Sequence, residues 1–153
     1  MSVPYPNVAV TMLVVDLARL LRRRFEAALL DVDTGLTAGE ARTLYYVWRY
    51  PGQRQAALAD AMFIEPMTLV GYLDSLEKAN LIKRCPDPKD KRAKLIELQP
   101  DADPILERIA TALKSVRSKA LDGVSIEDRK ELETLLQTMK DSLLPDDCKG
   151  KVK

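Results

Sequence analysis

Apolar positions recur at helical spacing along most of this chain, and the period changes once, past the middle. Residues 7 to about 30 contain no proline or glycine. There Leu13, Leu17, Leu20, Leu21 and Ala28 share one helical face, with Arg24 the one charged interruption. Val8, Met12 and Val15 add a second apolar stripe, and a helix apolar on two sides needs a second partner. Pro4 and Pro6 mark a loose arm ahead of it, and residues 31–35 form a polar break after it. Thr37 and Glu40 have capping-box spacing and open a second helix that Pro51-Gly52 stops after Tyr50. A short third helix spans about residues 54–62. Pro66 suits the first turn of a fourth, which runs to Ala79, with Asn80 at the left-handed position beyond.

The strand-like runs 81–85 and 93–98 come next, joined by residues 86–92 with two prolines and two aspartates. This predicts a hairpin with a proline-rigid tip. Pro100 and Pro104 flank the start of a fifth helix, whose stripe is Ile105, Ile109, Ala112, Leu113, Val116 and Ala120 and whose end is Gly123. Ser125 with Asp128 caps a sixth, with Leu132, Leu135, Leu136, Met139 and Leu143 as its expected buried face. Pro145 stops it, and residues 146–153 read as a solvated tail. The fold class is mainly α with a small β-hairpin. Its organisation is a winged helix-turn-helix at 36–99, flanked by a helical region from 1–35 and 100–153.

Composition narrows the function. With 46% apolar residues in a chain of 153, one domain-sized core is feasible. The chain has no histidine, which removes Ser-His-Asp and Cys-His nucleophiles, HExxH zinc sites and every His-ligated metal. Two cysteines, Cys85 and Cys148, cannot build a disulfide framework or a four-cysteine metal site. No catalytic residues, metal or cofactor are expected. The stretch 8–15 is too short to span a bilayer and lacks a basic lead, so a soluble cytoplasmic protein without a membrane partner is expected.

Net charge is only +1, so any nucleic-acid argument must be local. Between Lys83 and Lys94 six cations face two carboxylates, a net +4 over twelve residues. A basic hairpin beside a groove-reading helix can follow a phosphate rail or enter the minor groove; the bland alternative is a solvated charged turn. On the fourth helix Leu69, Leu73 and Leu76 fall within about 60° of one another and face the core. Met67, Thr68, Gly71, Tyr72 and Ser75 are then the candidate DNA readers. Thr68 can bond a base or phosphate, and Met67 can pack against a thymine methyl. Lys89, Asp90, Lys91, Arg92 and Lys94 are the candidate wing contacts, and Arg54 and Gln55 candidate phosphate contacts.

Residues 36–98 resemble a MarR-family transcriptional regulator, nearest its SlyA-like branch. The resemblance rests on Leu76-Glu77, on Leu81-Ile82-Lys83-Arg84 and on the wing Asp87-Pro88-Lys89-Asp90-Lys91-Arg92-Ala93-Lys94. It implies that Asp90 orients Arg92, the residue that reaches the minor groove. Gly71 stands where family members often carry Arg, Asn80 where a glycine is usual, and Gln99 where the second strand usually ends in Thr; Asp101 or Asp103 would then cap the fifth helix. The resemblance further implies a homodimer, joined through N- and C-terminal helices, on a pseudo-palindromic operator, with a monomeric bundle as the alternative. It also implies a small aromatic or phenolic anion as effector. Tyr45, Tyr46, Trp48 and Tyr50 could line its pocket with Arg42 or Arg49 as anion partner, or be ordinary core and surface aromatics. Cys85, flanked by cations, could have a lowered thiol pKa, or be a small strand residue with no sensing role. The rival function is a winged-helix protein-interaction module without sequence-specific DNA binding, which Gly71 keeps open.

Overall fold

The computed structural model describes residues 8–144; the expected N-terminal arm, Pro145, the tail and Cys148 lie outside them. The helices are α1 (Val8–Leu30), α2 (Ala38–Arg49), α3 (Gln55–Met62), α4 (Pro66–Lys78), α5 (Asp103–Ala120) and α6 (Ile126–Leu143). A hairpin of β1 (Ile82–Asp87) and β2 (Asp90–Leu98) separates α4 from a 3-10 turn, Pro100–Ala102. The chain divides into two compact units, Met1–Val116 and Arg117–Lys153.

In the first unit the core gathers α2, α3, α4, the hairpin and the first turns of α5. Leu44, Leu58, Leu69, Leu73, Leu76, Ile82, Ile96 and Ile109 are fully buried. Complete burial of such side chains stabilises by about 1.5–3 kcal/mol each. The Thr37–Glu40 capping box forms in both directions: Glu40 N–H donates to Thr37 Oγ1 at 3.2 Å and Thr37 N–H to Glu40 Oε2 at 2.8 Å. Asn80 adopts the left-handed conformation at φ 58°. Phe63 does so too at φ 52°, in the turn between α3 and α4, where an L-residue is strained by about 1–2 kcal/mol.

Three expectations need correction. The hairpin tip is Pro88-Lys89 alone rather than residues 86–92, because Pro86 pairs with Lys94 where the register jumps, a place that tolerates a residue without an N–H. From Ile82↔Leu98 to Pro86↔Lys94 the pairing is even. It then skips to Asp87↔Asp90, so Lys91, Arg92 and Ala93 bulge from the ladder. The turn before α5 has no side-chain cap: Gln99 leads into it, and Asp101 instead accepts from Asn80 Nδ2 at 2.8 Å. In the second unit the Ser125–Asp128 cap forms, yet no residue of α6 is buried, and Leu132, Leu135, Leu136 and Leu143 are exposed. In α1, likewise, only Leu29 is buried while Val8, Met12, Leu13, Val15, Leu17 and Leu20 are exposed. The stripes exist, but within one chain little covers them.

Candidate nucleic-acid interface

Two helices and a hairpin meet at α4. Its inner leucines fix its rotation, which turns Met67, Thr68, Gly71, Asp74 and Ser75 outward. Met67 is 78% exposed, and a Cβ added at Gly71 would meet nothing within 4 Å. Glu65 is the N-cap residue and makes no side-chain cap bond.

Two of the expected readers also touch α2. Tyr72 is half-buried, and its ring lies so close over α2 that a Cβ on Gly39 would sit 2.4 Å from Tyr72 Cζ; Gly39 is therefore needed for this approach. Ser75 hydrogen-bonds the Glu40 side chain. Burial alone raises the Glu40 pKa, but the bonds from the Thr37 backbone, Ser75 and the Thr37 hydroxyl outweigh it and hold the carboxyl below its ordinary value. Tyr72 and Ser75 thus join α4 to α2, while Met67, Thr68 and Gly71 lie open on the outer face without such a tie.

The wing is tied to its surroundings at both ends. At its base Arg84 N–H donates to Glu77 Oε1 at 2.9 Å. The Arg84 guanidinium donates through Nε to Glu77 Oε2 at 2.9 Å and through Nη2 to Asp74 Oδ1 at 2.6 Å. Arg84 therefore clamps β1 to α4 and is already neutralised, so it drops out of the cationic face. Its hydrogen bonds hold the Glu77 carboxyl below the ordinary range. Near the tip Asp87, 5% exposed, accepts from Lys89 N–H at 2.8 Å and from Arg54 Nε at 2.6 Å. These two bonds also lower its pKa, the backbone one first. Arg54 so becomes a brace for the wing, with its side chain still 46% exposed, and Gln55 begins α3 half-buried. Ile96 N–H donates to Gln53 carbonyl at 3.1 Å, and Arg54 bridges Leu95, so the stretch before α3 acts as a third strand position.

Lys83, Lys89, Lys91, Arg92 and Lys94 remain exposed. The Asp90–Arg92 pair takes a specific form. Asp90 Oδ1 accepts the Arg92 backbone N–H at 3.1 Å, while Arg92 Nε stands 3.7 Å away and the Arg92 side chain is 96% exposed. Asp90 shapes the bulge and leaves the guanidinium projecting.

At Cys85 the surroundings oppose the lowered pKa and agree with a plain strand residue. Desolvation and then the Glu97 carboxylate, which accepts from Cys85 Sγ at 3.5 Å, push its pKa up, and Lys83 only partly offsets them. The expected aromatic cluster resolves into two tilted pairs, Tyr45–Trp48 at 5.5 Å and Tyr46–Tyr50 at 5.8 Å; Tyr45 and Tyr46 pack on the core, and Trp48 and Tyr50 are exposed. Arg42 pairs with Glu26 at 3.3 Å, and the Arg49 guanidinium lies 5.4 Å from the Tyr50 ring centre.

The sequence reading missed the Glu77–Arg84–Asp74 clamp, the Arg54–Asp87 brace and the Gly39–Tyr72 contact. The first had a signal, acidic residues on the last turns of α4 opposite an Arg in β1. The other two join segments more than thirty residues apart, and no local pattern announces them.

Comparison with known proteins agrees with this geometry. The MarR family model matches residues 36–94, which is α2 through the first half of β2. The crystal structure of transcriptional regulator PA3341 superposes with a TM-score of 0.76 at 27% identity, covering 88% of this chain and 97% of that one. A mutant MarR from E. coli complexed with operator DNA gives 0.65 at 20% identity, covering 86% and 94%. Bordetella bronchiseptica BpsR, whose DNA binding is regulated by 6-hydroxynicotinic acid, gives 0.67 at 21%, covering 92% and 99%. A family model spanning α4 and most of the wing makes this segment similar to the MarR family, and a transcriptional regulator matched over nearly its whole length shares the fold of the chain.

Proposed function

We propose that this protein is a cytoplasmic homodimeric repressor that binds duplex DNA sequence-specifically at a pseudo-palindromic operator. In this reading α4 enters the major groove and the wing reaches the flanking minor groove. The observation that carries it is the junction of an open α4 face with a cationic wing, held in fixed relation by the Arg84 clamp. Arg92 projects to the DNA, where counterion release supplies most of the affinity. The related E. coli protein solved with operator DNA supports the same arrangement. Within the family we place the chain nearest the SlyA-like branch, on the wing sequence.

The exposed apolar stripes of α1 and α6 support a second copy as their cover. Isologous association buries such faces and presents two reading helices to two half-sites. A small aromatic anion is the proposed effector, by analogy with BpsR and its 6-hydroxynicotinic acid. The sole tryptophan, Trp48, is exposed and reports on it.

The test is duplex selection from a random pool with the full chain, followed by salt titration. Retention at low salt with a steep loss as salt rises is expected. Failure to retain any duplex at low salt overturns the reading and favours the protein-interaction module. Sedimentation at micromolar concentration should show a dimer, and a monomer there removes the two-half-site arrangement. Quenching of Trp48 by 6-hydroxynicotinic acid, with release of DNA, is the expected effector result; release of DNA by no aromatic acid would refute that part.

A further inference from the structure

The end of α4 that would meet the bases carries no cation, and its largest open side chains are apolar. Asp74 is held by Arg84, Ser75 by Glu40, and Tyr72 lies over Gly39. Gly71 offers no side chain. What stays open at the N-terminal end is Met67, 78% exposed, Thr68, and Phe63, 88% exposed in the turn just before the helix. No cation lies between Phe63 and Lys78, so this end cannot make a bidentate arginine contact to guanine. The exposed Glu65 carboxylate at the N-cap is repelled by phosphate and disfavours docking this end on the backbone rail.

Folding explains the left-handed backbone of Phe63, which closes α3 while the Ile64 N–H donates to the Ala59 carbonyl at 3.2 Å. It does not explain the side chain: glycine would take this conformation without strain, and the ring is out in solvent. Non-glycine residues kept in this conformation cluster at functional sites, and a large exposed ring at one is apolar surface free for contact. The base feature that matches an apolar surface in the major groove is the thymine 5-methyl group.

We infer that Phe63 and Met67 are the specificity-determining pair of this regulator and that they read thymine methyls at the inner positions of each half-site. The inference rests on the DNA-binding function proposed above. It makes specificity depend on a methyl group, so 5-methylcytosine should substitute for thymine as a contact where pairing allows.

The experiment uses the full chain and a duplex selected from a random pool. Replacing the half-site thymines by deoxyuridine keeps base pairing and removes only the methyls. Affinity should fall about fourfold for each methyl in the interface. Met67→Ala should abolish most of this sensitivity. Phe63→Gly should melt no lower than wild type, bind the selected duplex more weakly and bind random duplex equally well. Equal affinity for thymine and deoxyuridine duplexes overturns the inference while leaving the regulator intact, as does undiminished methyl sensitivity in the Met67 and Phe63 variants. Retention of no duplex at all overturns both.

Discussion

Replacing Arg92 by alanine isolates the electrostatic part of the wing. The side chain is 96% exposed and its nearest carboxylate, Asp90, stands 3.7 Å from Nε, so removing it takes away no packing. Stability should stay within about 0.5 kcal/mol of wild type, a melting shift of no more than about 2 °C for a chain of this size. DNA binding should change strongly. Each phosphate left without its cation flattens the plot of log affinity against log salt by about 0.9, so a dimer with both Arg92 side chains removed flattens by about 1.8. If the affinities converge near 1 M salt, the loss at 0.1 M is about 60-fold and at 0.3 M about ninefold. Arg84→Ala is the informative comparison. Its charge is already matched by Glu77 and Asp74 at 2.6–2.9 Å, so it should lower the melting temperature and leave the salt slope nearly unchanged. Fluorescence anisotropy over a salt series, with thermal melting of each variant, measures both quantities. Equal slopes for wild type and Arg92→Ala, or a flattening by Arg84→Ala as large as by Arg92→Ala, would refute the assignment of the cationic face.

Gly71→Arg should fold at least as stably as wild type, since a Cβ there meets nothing within 4 Å and glycine is a poor helix former by about 1 kcal/mol. It should also tighten binding to duplexes with a guanine under this position; a folded variant that binds every duplex more weakly shows instead that bare backbone approaches the DNA here. The Glu77 carboxyl is depressed in the folded state by its hydrogen bonds with Arg84. Its stabilisation is therefore present above the unfolded-state pKa and lost as pH falls through the carboxylate range. Glu77→Gln should cost up to about 1 kcal/mol at pH 7, and the gap to wild type should close on acidification; a gap that widens at low pH contradicts the clamp. In a Cys148→Ser background Cys85 should alkylate slowly at neutral pH and faster only above the usual thiol range, because desolvation and Glu97 raise its pKa; rapid reaction at pH 7 would contradict that environment.

Local chemistry is legible in the sequence and tertiary pairing is not. The Thr37–Glu40 and Ser125–Asp128 caps, Pro66 at the start of α4 and Asn80 beyond its end depend on residues within four positions, and each forms as expected. The helical period of Leu69, Leu73 and Leu76 decides which side of α4 faces inward. The period of Leu132, Leu135 and Leu136 is equally clear, but periodicity tells which residues share a face and not what covers it. Pro86 reads as the start of the loop because proline breaks ladders, yet the hairpin places it at its register jump. The sequence neighbours of Cys85 mislead. Arg84 next to it spends its charge on α4, and Glu97 from the opposite strand decides the thiol's environment. Tyr72 and Ser75 sit on the outer half of α4 by spacing, but reach sideways to Gly39 and Glu40.

The wing is fastened three times: to α4 through Arg84, to the start of α3 through Asp87, and to Gln53 through the Ile96 amide. A hairpin held this way has its shape fixed when the chain folds, and DNA need not order it. Docking should then lack the large negative heat-capacity change of coupled folding. Control is constrained in the same way. A signal that loosened the wing alone would have to break several charge-assisted hydrogen bonds at once, whereas α2, α3, α4 and the wing, each joined to the next, can be displaced together as a block. In a dimer, the quantity left for an effector to adjust is the distance between two such blocks, set against the fixed pitch of the double helix.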